Sequence, residues 1–386
     1  MINRAAAPLL GSLLLAGSLS AGDSYPGRFH RFERLTPQSG PASVTGFSSI
    51  CQDAEGFLWL GTSAGLARYD GFRFTVHTPP QDGQAPSPPA AIYPVTIARS
   101  GDIWAGTNGQ GLLMFSKATR TFVHYRRDER DPRSLSDDIV LAVQEDAKGD
   151  LWIGTRSHGL VRFDRATNSF VRFPLGPGVD VVWDVLADRK GAIWVGTLEA
   201  GLFKVDPATG AVVNFRSLAD DPRSLGADNV WTLYEDREGA IWAGTKNGGL
   251  NRYDPADGGF ARFYGAGSFP RDLVRQTITA VAEDRAGCLW IGTASEGVRI
   301  WDKATGEYSI CRNDPLDAES LGDDGVTSIF TDAGGVVWVG TVRGGLNKCL
   351  ADLAKFEHYK HSLAETDSLP GNDVRALWED GAGALW

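Results

Sequence analysis

The sequence repeats one short pattern, Trp-x-Gly-Thr, at nearly constant spacing along most of the chain. The pattern begins at seven tryptophans, and the last residue of the chain begins an eighth copy: Trp59, Trp104, Trp152, Trp194, Trp242, Trp290, Trp338 and Trp386. Successive tryptophans lie 45, 48, 42, 48, 48, 48 and 48 residues apart. A fixed period of about 40–50 residues is typical of solenoids, propellers and other repeat arrays. The repeat therefore limits the fold to an array of similar units.

Each repeat contains four short β-rich runs. In the clearest copy these runs are residues 229–235, 240–245, 249–253 and 259–263. Turns rich in Asp, Gly and Pro separate them, and no segment shows the sustained apolar period of 3.6 residues that helical repeats would require. We therefore expect each repeat to form one four-stranded antiparallel sheet, or blade.

Both faces of such a blade are apolar, so the blades need neighbours on both sides. An open stack would leave two apolar faces in water, whereas a closed ring covers them. The sequence thus predicts an all-β fold, a seven-bladed β-propeller over residues 23–362. Residues 363–386 are interpreted as an incomplete eighth repeat, either an eighth blade or the start of a second propeller. Residues 29–32 resemble a fourth strand and are expected to complete the last blade of the ring.

The N-terminal 22 residues have the character of a secretory signal peptide. Arg4 supplies a positive charge, residues 5–19 are largely apolar, and small residues follow at 18–22. This stretch is short for a membrane span, which needs about 20 apolar residues. We therefore predict a periplasmic location, or the extracytoplasmic face of the inner membrane, after the signal peptide is removed. Because the chain stops within a repeat, we also expect further residues beyond Trp386.

Charge and cysteine content exclude several classes of protein. The net charge is −10 without any Lys/Arg block, which argues against a nucleic-acid partner. The four cysteines form no CxxC motif and no Cys/His cluster, so no metal and no cofactor are predicted. The cysteines occupy core positions of the repeat and are expected to be buried thiols. A disulfide between Cys288 and Cys311 is left open.

The repeat resembles the two-component regulator propeller repeat. The resemblance is clearest in residues 145–164 (EDAKGDLWIGTRSHGLVRFD) and 235–254 (EDREGAIWAGTKNGGLNRYD), and it covers nearly all of residues 46–386. It implies the ligand-sensing periplasmic part of a receptor of the hybrid two-component or sensor histidine kinase type. In such receptors a membrane span and an output domain follow, either a histidine kinase or a diguanylate cyclase. The membrane is then reached only through parts beyond this chain.

Two recurring features of the repeat are interpreted as structural. Glu-Asp pairs such as Glu235-Asp236 recur at a turn closed by Gly, where Asp caps its own backbone. Catalysis would instead require two carboxylates in different environments at one place. The Trp of each Trp-x-Gly-Thr occupies the same strand position in every blade, which favours packing between blades over ligand stacking.

The positions that differ between blades are the candidates for ligand binding. They lie in the loop after each Gly-Thr and near the start of the first strand, on the face that also carries the loops entering each blade. Charged groups and amides beside aromatic rings suit a small polar ligand such as an oligosaccharide. The candidate residues are Tyr93, Asn108, Gln110, Arg156, His158, Trp183, Glu199, Trp231, Lys246, Asn247, Glu296 and Arg343.

Three other functions were weighed against the sensor. A streptogramin-lyase-like enzyme would need a base and a metal, for which His158, Glu199 and Glu296 are the candidates. A quinoprotein dehydrogenase would need a Trp soon after the Thr-Gly of residues 206–210, where Val follows instead. A free periplasmic propeller that binds a partner protein is the third, and a homodimer is left open. No catalytic motif is found in the chain.

Overall fold

A computed structural model describes residues 30–35, 46–78, 91–262, 273, 275–350 and 376–378. The predicted signal peptide and nearly all of the predicted eighth repeat lie outside the described residues. Within the described ranges, no helix has the length and the hydropathy needed to cross a membrane.

The described strands form seven four-stranded antiparallel sheets, which confirms the predicted blades. Blade one contains β2 (Ser49–Gln52), β3 (Leu58–Thr62), β4 (Gly65–Tyr69) and β5 (Phe74–His77). Blade two contains β6 (Ile92–Ile97), β7 (Ile103–Thr107), β8 (Leu112–Ser116) and β9 (Thr121–Tyr125). Blade three contains β10 (Val140–Glu145), β11 (Leu151–Thr155), β12 (Leu160–Asp164) and β13 (Ser169–Phe173).

The remaining blades repeat the same order. Blade four contains β14 (Val182–Ala187), β15 (Ile193–Thr197), β16 (Leu202–Val205) and β17 (Val212–Phe215). Blade five contains β18 (Val230–Glu235), β19 (Ile241–Thr245), β20 (Gly249–Asp254) and β21 (Gly259–Arg262). Blade six contains β22 (Ile278–Glu283), β23 (Cys288–Thr293), β24 (Val298–Asp302) and β25 (Tyr308–Cys311). Blade seven contains β26 (Val326–Thr331), β27 (Val336–Thr341), β28 (Leu346–Leu350) and, from the other end of the chain, β1 (Phe32–Leu35).

The ring closes through this N-terminal strand. β1 pairs antiparallel with β28, with Phe32 opposite Cys349 and Leu35 opposite Leu346. The first strand of each blade also packs against the first strand of the next blade, including β26 of blade seven against β2 of blade one. The predicted closure is confirmed, although the strand runs over 32–35 rather than 29–32. The propeller therefore has seven blades.

The repeat tryptophans are buried between neighbouring blades, as predicted. All seven are at most 5% exposed. Trp59 packs with the core of blade two, Trp194 with that of blade five, and Trp338 with that of blade one. Each tryptophan thus extends from its own blade into the next, and the seven contacts together run around the whole ring.

The Gly and Thr of the repeat have separate structural roles. A Cβ added to Gly154 would lie 2.7 Å from Val182 Cγ1 and 2.9 Å from the Val182 carbonyl oxygen of the next blade. The Thr155 hydroxyl donates a hydrogen bond of 2.9 Å to the Gly159 carbonyl oxygen at the end of the loop. Gly therefore permits the close approach of blades, and Thr closes the loop.

The Asp of the Glu-Asp pair has a second role that the sequence did not predict. In blade six, Asp284 Oδ1 accepts a hydrogen bond from the Cys288 amide, and Oδ2 accepts one from Trp290 Nε1 at 2.9 Å. The same bond between an Asp and the Trp six residues later occurs in blades one, three, four, five and seven at 2.8–2.9 Å. In blade two, Ala98 replaces Asp, and the buried Trp104 Nε1 has no hydrogen-bond partner.

The Glu of the pair connects neighbouring blades. Glu235 Oε2 accepts a hydrogen bond from the Arg189 amide of the preceding blade at 3.0 Å, and Glu283 Oε2 accepts one from the Arg237 amide at 2.7 Å. The Arg237 guanidinium in turn donates to the Arg285 carbonyl oxygen of the next blade at 2.9 Å. The structural interpretation of the Glu-Asp pairs is confirmed by these contacts.

All four cysteines are free thiols, and Cys288 and Cys311 are therefore not paired. Cys288 is buried and packs in the core between blades six and seven, with Cys311 beside it. Burial raises the pKa of the Cys311 thiol to about 12, so this thiol stays protonated at neutral pH.

We predict that Asp284→Ala lowers the free energy of unfolding by about 2–4 kcal/mol, because it leaves two buried donors without an acceptor. The matched control is Asp302→Ala in the same blade. Asp302 also accepts two backbone hydrogen bonds, but in an exposed turn where water can replace it. We expect a loss of at most about 1 kcal/mol there. Urea denaturation followed by tryptophan fluorescence measures both, and equal losses would contradict the role assigned to Asp284.

We also predict that Phe32→Ala weakens the ring closure. Phe32 is 3% exposed and lies against Trp290, with the ring centroids 6.4 Å apart. Removing a buried phenylalanine side chain costs about 3–5 kcal/mol. Phe72→Ala is the control, since Phe72 is 95% exposed and its loss should leave the unfolding transition unchanged. A Phe32→Ala protein as stable as the control would show that β1 does not hold the ring closed.

Candidate ligand site on the loop face

Two sets of loops share one face of the propeller, here called the loop face. They are the loops after each Gly-Thr and the connections that enter each blade. The Gly159 amide donates to the Asp180 carbonyl oxygen at 2.8 Å, and the Gly201 amide donates to the Asp228 carbonyl oxygen at 2.9 Å. Each of these bonds joins a loop after Gly-Thr to the connection entering the following blade. The predicted arrangement of the variable loops on one face is confirmed.

On this face Trp183 and Trp231 form an aromatic pair. Trp183 is the second residue of the first strand of blade four, and Trp231 is the second residue of the first strand of blade five. These two strands are neighbours, so they hold the two rings side by side. The ring centroids lie 5.7 Å apart with an interplanar angle of 37°. Lys246, from the loop after Gly-Thr in blade five, places Nζ 5.9 Å from the Trp231 ring centroid. Three of the predicted residues therefore come together here.

The first strands of blades four, five and six, and the residue that precedes the first strand of blade five, carry polar atoms without a hydrogen-bond partner. Four buried atoms make no hydrogen bond within the protein: Trp183 Nε1, Trp231 Nε1, Asn229 Oδ1 and Thr279 Oγ1. Asn229 precedes the first strand of blade five, and Thr279 occupies in blade six the position that Trp231 has in blade five. Buried polar groups are nearly always satisfied by protein, water or ligand. These atoms therefore offer donors and an acceptor that a polar molecule can satisfy.

Asp184, which the sequence analysis missed, lies next to Trp183 in the same strand. Its Oδ2 accepts a hydrogen bond of 2.7 Å from the Leu233 amide of blade five, and its Oδ1 accepts one from the Val185 amide. Burial raises the pKa of the Asp184 carboxyl to about 7, and the two amide donors offset only part of this effect. A signal was present, since this repeat position otherwise holds Ser, Pro, Ala or Thr in the other blades.

Four other predicted residues have partners of their own. His158 Nδ1 lies 3.6 Å from Asp137 Oδ2, an ion pair only when the imidazole is protonated. Glu296 forms ion pairs with Arg312 and with the fully buried Arg299. The remaining contacts are Asn247 Oδ1 with the Thr277 hydroxyl at 3.3 Å and Arg343 Nε with Asp323 Oδ2 at 3.4 Å.

The other predicted residues are spread around the ring. Tyr93, Asn108 and Gln110 belong to blade two and Arg156 to blade three, whereas the aromatic pair belongs to blades four and five. Tyr93 is 38% exposed, and Asn108 and Arg156 are exposed as well. The structure therefore does not gather all twelve predicted residues into one site.

Glu199 lines a separate cavity of about 650 Å³ on blade four. The cavity lies between the connection that enters this blade and the outer strand β17, with Leu175, Val212 and Asn214 among its walls. His158, Glu199 and Glu296 belong to blades three, four and six. Among the described residues, no three His, Cys, Asp or Glu side chains lie close enough to hold a metal ion. The residues considered for lyase chemistry are therefore not assembled as a metal site.

We predict that Asp184 makes the propeller less stable as the pH rises from about 4 to about 7. The pKa in the folded state is raised above its unfolded value, so the folded protein holds this proton more tightly through that window. Asp184→Asn should remove this contribution. The thermal midpoint of the variant relative to the unmodified chain should then increase with pH up to about 7 and stay constant above it. A difference that does not change with pH would contradict the assignment.

The chain is similar to known proteins in parts of its sequence and in its fold. The two-component regulator propeller family model matches residues 42–64, 134–157, 224–247 and 272–295. The extracellular domain of a candidate hybrid two-component system from B. thetaiotaomicron superposes with a TM-score of 0.76 and 25% identity, over 92% of this chain and 46% of that one. A second such domain from the same organism gives a TM-score of 0.66 and 22% identity, over 93% of this chain and 44% of that one.

This chain spans less than half the length of those two structures. Virginiamycin B lyase from Staphylococcus aureus shares the fold, with a TM-score of 0.63 and 14% identity over 83% of this chain and 99% of that one. No curated protein sequence matches the chain. Four segments of the chain thus match the two-component regulator propeller model, and the seven-bladed architecture is similar to that of the extracellular domains of candidate hybrid two-component systems.

Proposed function

We propose that this propeller is the extracytoplasmic ligand-binding part of a receptor of the two-component type. Its similarity to the extracellular domains of candidate hybrid two-component systems supports a sensor that works outside the cytoplasm. The observation that carries the proposal is the Trp183–Trp231 pair on the loop face, together with the unpaired polar atoms of the first strands of blades four to six and of Asn229.

The ligand that fits this site is a small polar molecule with a flat apolar face, such as an oligosaccharide. A sugar ring can lie against an indole, and its hydroxyl groups can bond with Trp183 Nε1, Trp231 Nε1 and Asn229 Oδ1 once binding displaces the side chains that cover these buried atoms. Lys246 adds a positive charge beside the Trp231 ring and favours a ligand with electron-rich oxygens. Blades four, five and six would each contribute at least one group to such a ligand.

The strands that carry these groups provide a path for a signal. Trp183 and Trp231 lie on first strands that Asp184 joins directly through the Leu233 amide. A ligand that bridges blades four and five would therefore change the contact between two innermost strands. In the proposed receptor this change reaches an output domain of the histidine kinase type, with a diguanylate cyclase as the alternative.

The proposed location follows from the same similarity and from the N-terminal sequence. Residues 1–22 would direct the chain across the inner membrane, and the receptor would hold the propeller in the periplasm. The structure gives no support to a lyase activity, because His158, Glu199 and Glu296 do not form a metal site in the part of the chain that is described.

We predict that Trp231→Ala abolishes most of the affinity for the ligand. The full chain is screened by thermal shift against a panel of monosaccharides, oligosaccharides and other small polar metabolites, and hits are titrated by calorimetry. Loss of one stacking face and one donor should raise the dissociation constant at least about tenfold. Trp378→Ala is the matched control, since Trp378 is 66% exposed and lies outside the seven blades. It should bind as the unmodified chain does.

Two outcomes would contradict the proposal. One is that no compound of the panel shifts the thermal midpoint, whereas a partner protein binds the loop face. The other is that a compound binds equally well to the unmodified chain and to the Trp231→Ala chain. Equal unfolding midpoints of the free variants would show that the substitution acts on binding rather than on folding.

A further inference from the structure

The connection that enters blade four is shorter than its counterparts. Fourteen residues, 126–139, join blade two to blade three, and the connections at 216–229 and 312–325 have the same length. Only eight residues, 174–181, join blade three to blade four. The three long connections share a Ser-Leu pair preceded by an Asp-initiated turn, and the short connection lacks both.

Each long connection covers the outer strand of the blade that it enters. Its leucine is fully buried, as for Leu135, Leu225 and Leu321. A carbonyl oxygen of the connection also accepts a hydrogen bond from an outer-strand amide. These bonds are Phe170 to Arg133 at 2.8 Å, Phe260 to Arg223 at 2.6 Å and Phe32 to Glu319 at 2.8 Å.

Blade four lacks this cover. In blade four, Val212 of β17 pairs with Val205. Phe170 pairs with Phe163 at the same position in blade three. Val212 is 36% exposed, whereas Phe170, the residue at its position in blade three, is 6% exposed. The outer strand of blade four therefore presents Val212 at an edge that the connections close in blades three, five and seven.

The cavity of about 650 Å³ lies along this open edge. Its walls include Leu175, Val179, Phe203, Val212, Asn214 and Arg216, here called the blade-four groove. Phe203 is buried at its base and Val212 stands at its rim. Arg216 is held by Asp228 through two contacts of 2.8–3.0 Å and so adds little free charge. The lining combines the apolar Leu175, Val179, Phe203 and Val212 with polar and acidic side chains that include Asn214, Asp180 and Glu199.

We propose that the blade-four groove is a docking site for a turn of another polypeptide that presents a leucine. The leucine enters the cavity, and a carbonyl oxygen of the turn accepts a hydrogen bond from the Val212 amide. In blades three, five and seven, the connections of this same chain make both contacts, with a buried leucine and with a carbonyl oxygen that accepts a hydrogen bond from the outer strand. The proposal concerns the outer edge of the ring and is independent of the ligand site at Trp183 and Trp231.

One difference between the blade-four groove and the equivalent places on blades five and seven affects which partner sequences can bind. In blades five and seven, Arg262 and Arg34 bind the carbonyl oxygens of the Asp-x-x-Ser-Leu turn. Blade four has Asn214 at this position, and its Nδ2 donates to the Ala200 carbonyl oxygen instead. The docked turn is therefore held by the strand edge and by its leucine, and its remaining sequence is less restricted.

The test uses the full chain and a cyclised peptide with the sequence of residues 218–226, LADDPRSLG. Cyclisation reduces the ordering cost that a free peptide would pay on binding. We expect saturable binding with a dissociation constant below about 1 mM, and protection of the β17 amides from hydrogen exchange. The same peptide with Leu225→Ala should bind at least about tenfold more weakly.

Four variants of the chain test whether the peptide binds in the groove. Val212→Lys should weaken binding, whereas Val171→Lys, at an exposed valine of the covered blade three, should not. Replacing residues 174–179 by residues 126–137 of the same chain should fill the groove, abolish peptide binding and raise the thermal midpoint. Trp231→Ala should bind the peptide normally, which separates this site from the proposed ligand site.

Any of four results would overturn the proposal. The first is that the peptide does not bind the unmodified chain at concentrations up to millimolar. The second is that it binds with equal affinity to the Val212→Lys chain. Binding without protection of β17 would show that the peptide docks elsewhere. A small polar compound that fills the cavity and excludes no peptide would likewise assign the groove to a different kind of ligand.

Discussion

The hydrogen bond between an Asp carboxylate and the indole of the repeat tryptophan supports much of the rest of the structure. One carboxylate oxygen closes the turn between the first two strands, and the other holds the Trp ring, as Asp284 does for Trp290. The ring in turn fills the space between its blade and the next one. Local turn geometry and packing between blades are thus joined through a single side chain. This connection explains why the two residues keep a separation of six in six blades while the surrounding loops differ.

Most of the fold is predictable from the sequence because the repeat presents the same evidence seven times. The strands inferred at 229–235, 240–245, 249–253 and 259–263 agree with β18–β21 to within one residue at each end. The closing strand begins three residues after the predicted one, because the segments at 29–32 and 32–35 both start with phenylalanine and only pairing with β28 selects one of them. A strand that recurs in seven repeats can be located by comparing the copies. The N-terminal strand β1 lies apart from the repeats and can be located only from its own sequence.

The candidate site is less predictable, because it depends on contacts between different blades. Trp183 and Trp231 are recognisable as aromatic exceptions at one repeat position, but their mutual distance follows from the ring geometry. Glu296 is a candidate for ligand binding by its place in the loop, and its pairing with the fully buried Arg299 from the next strand is visible only in the structure. Asp184 was overlooked because a lone acid in an apolar strand has no local motif. Its bond to Leu233 exists only when two neighbouring blades are in place.

The closure of the ring has a mechanical consequence. β1 and β28 run antiparallel, so the chain enters at Phe32 and leaves at Leu350 at the same end of the same strand pair. A tension applied between these two points would load the hydrogen bonds of the pair one after another, as in unzipping, rather than all together in shear. The other blades carry no such load, because the chain passes through each of them without ending there. Blade seven is therefore the place where a pulling force would open the propeller first.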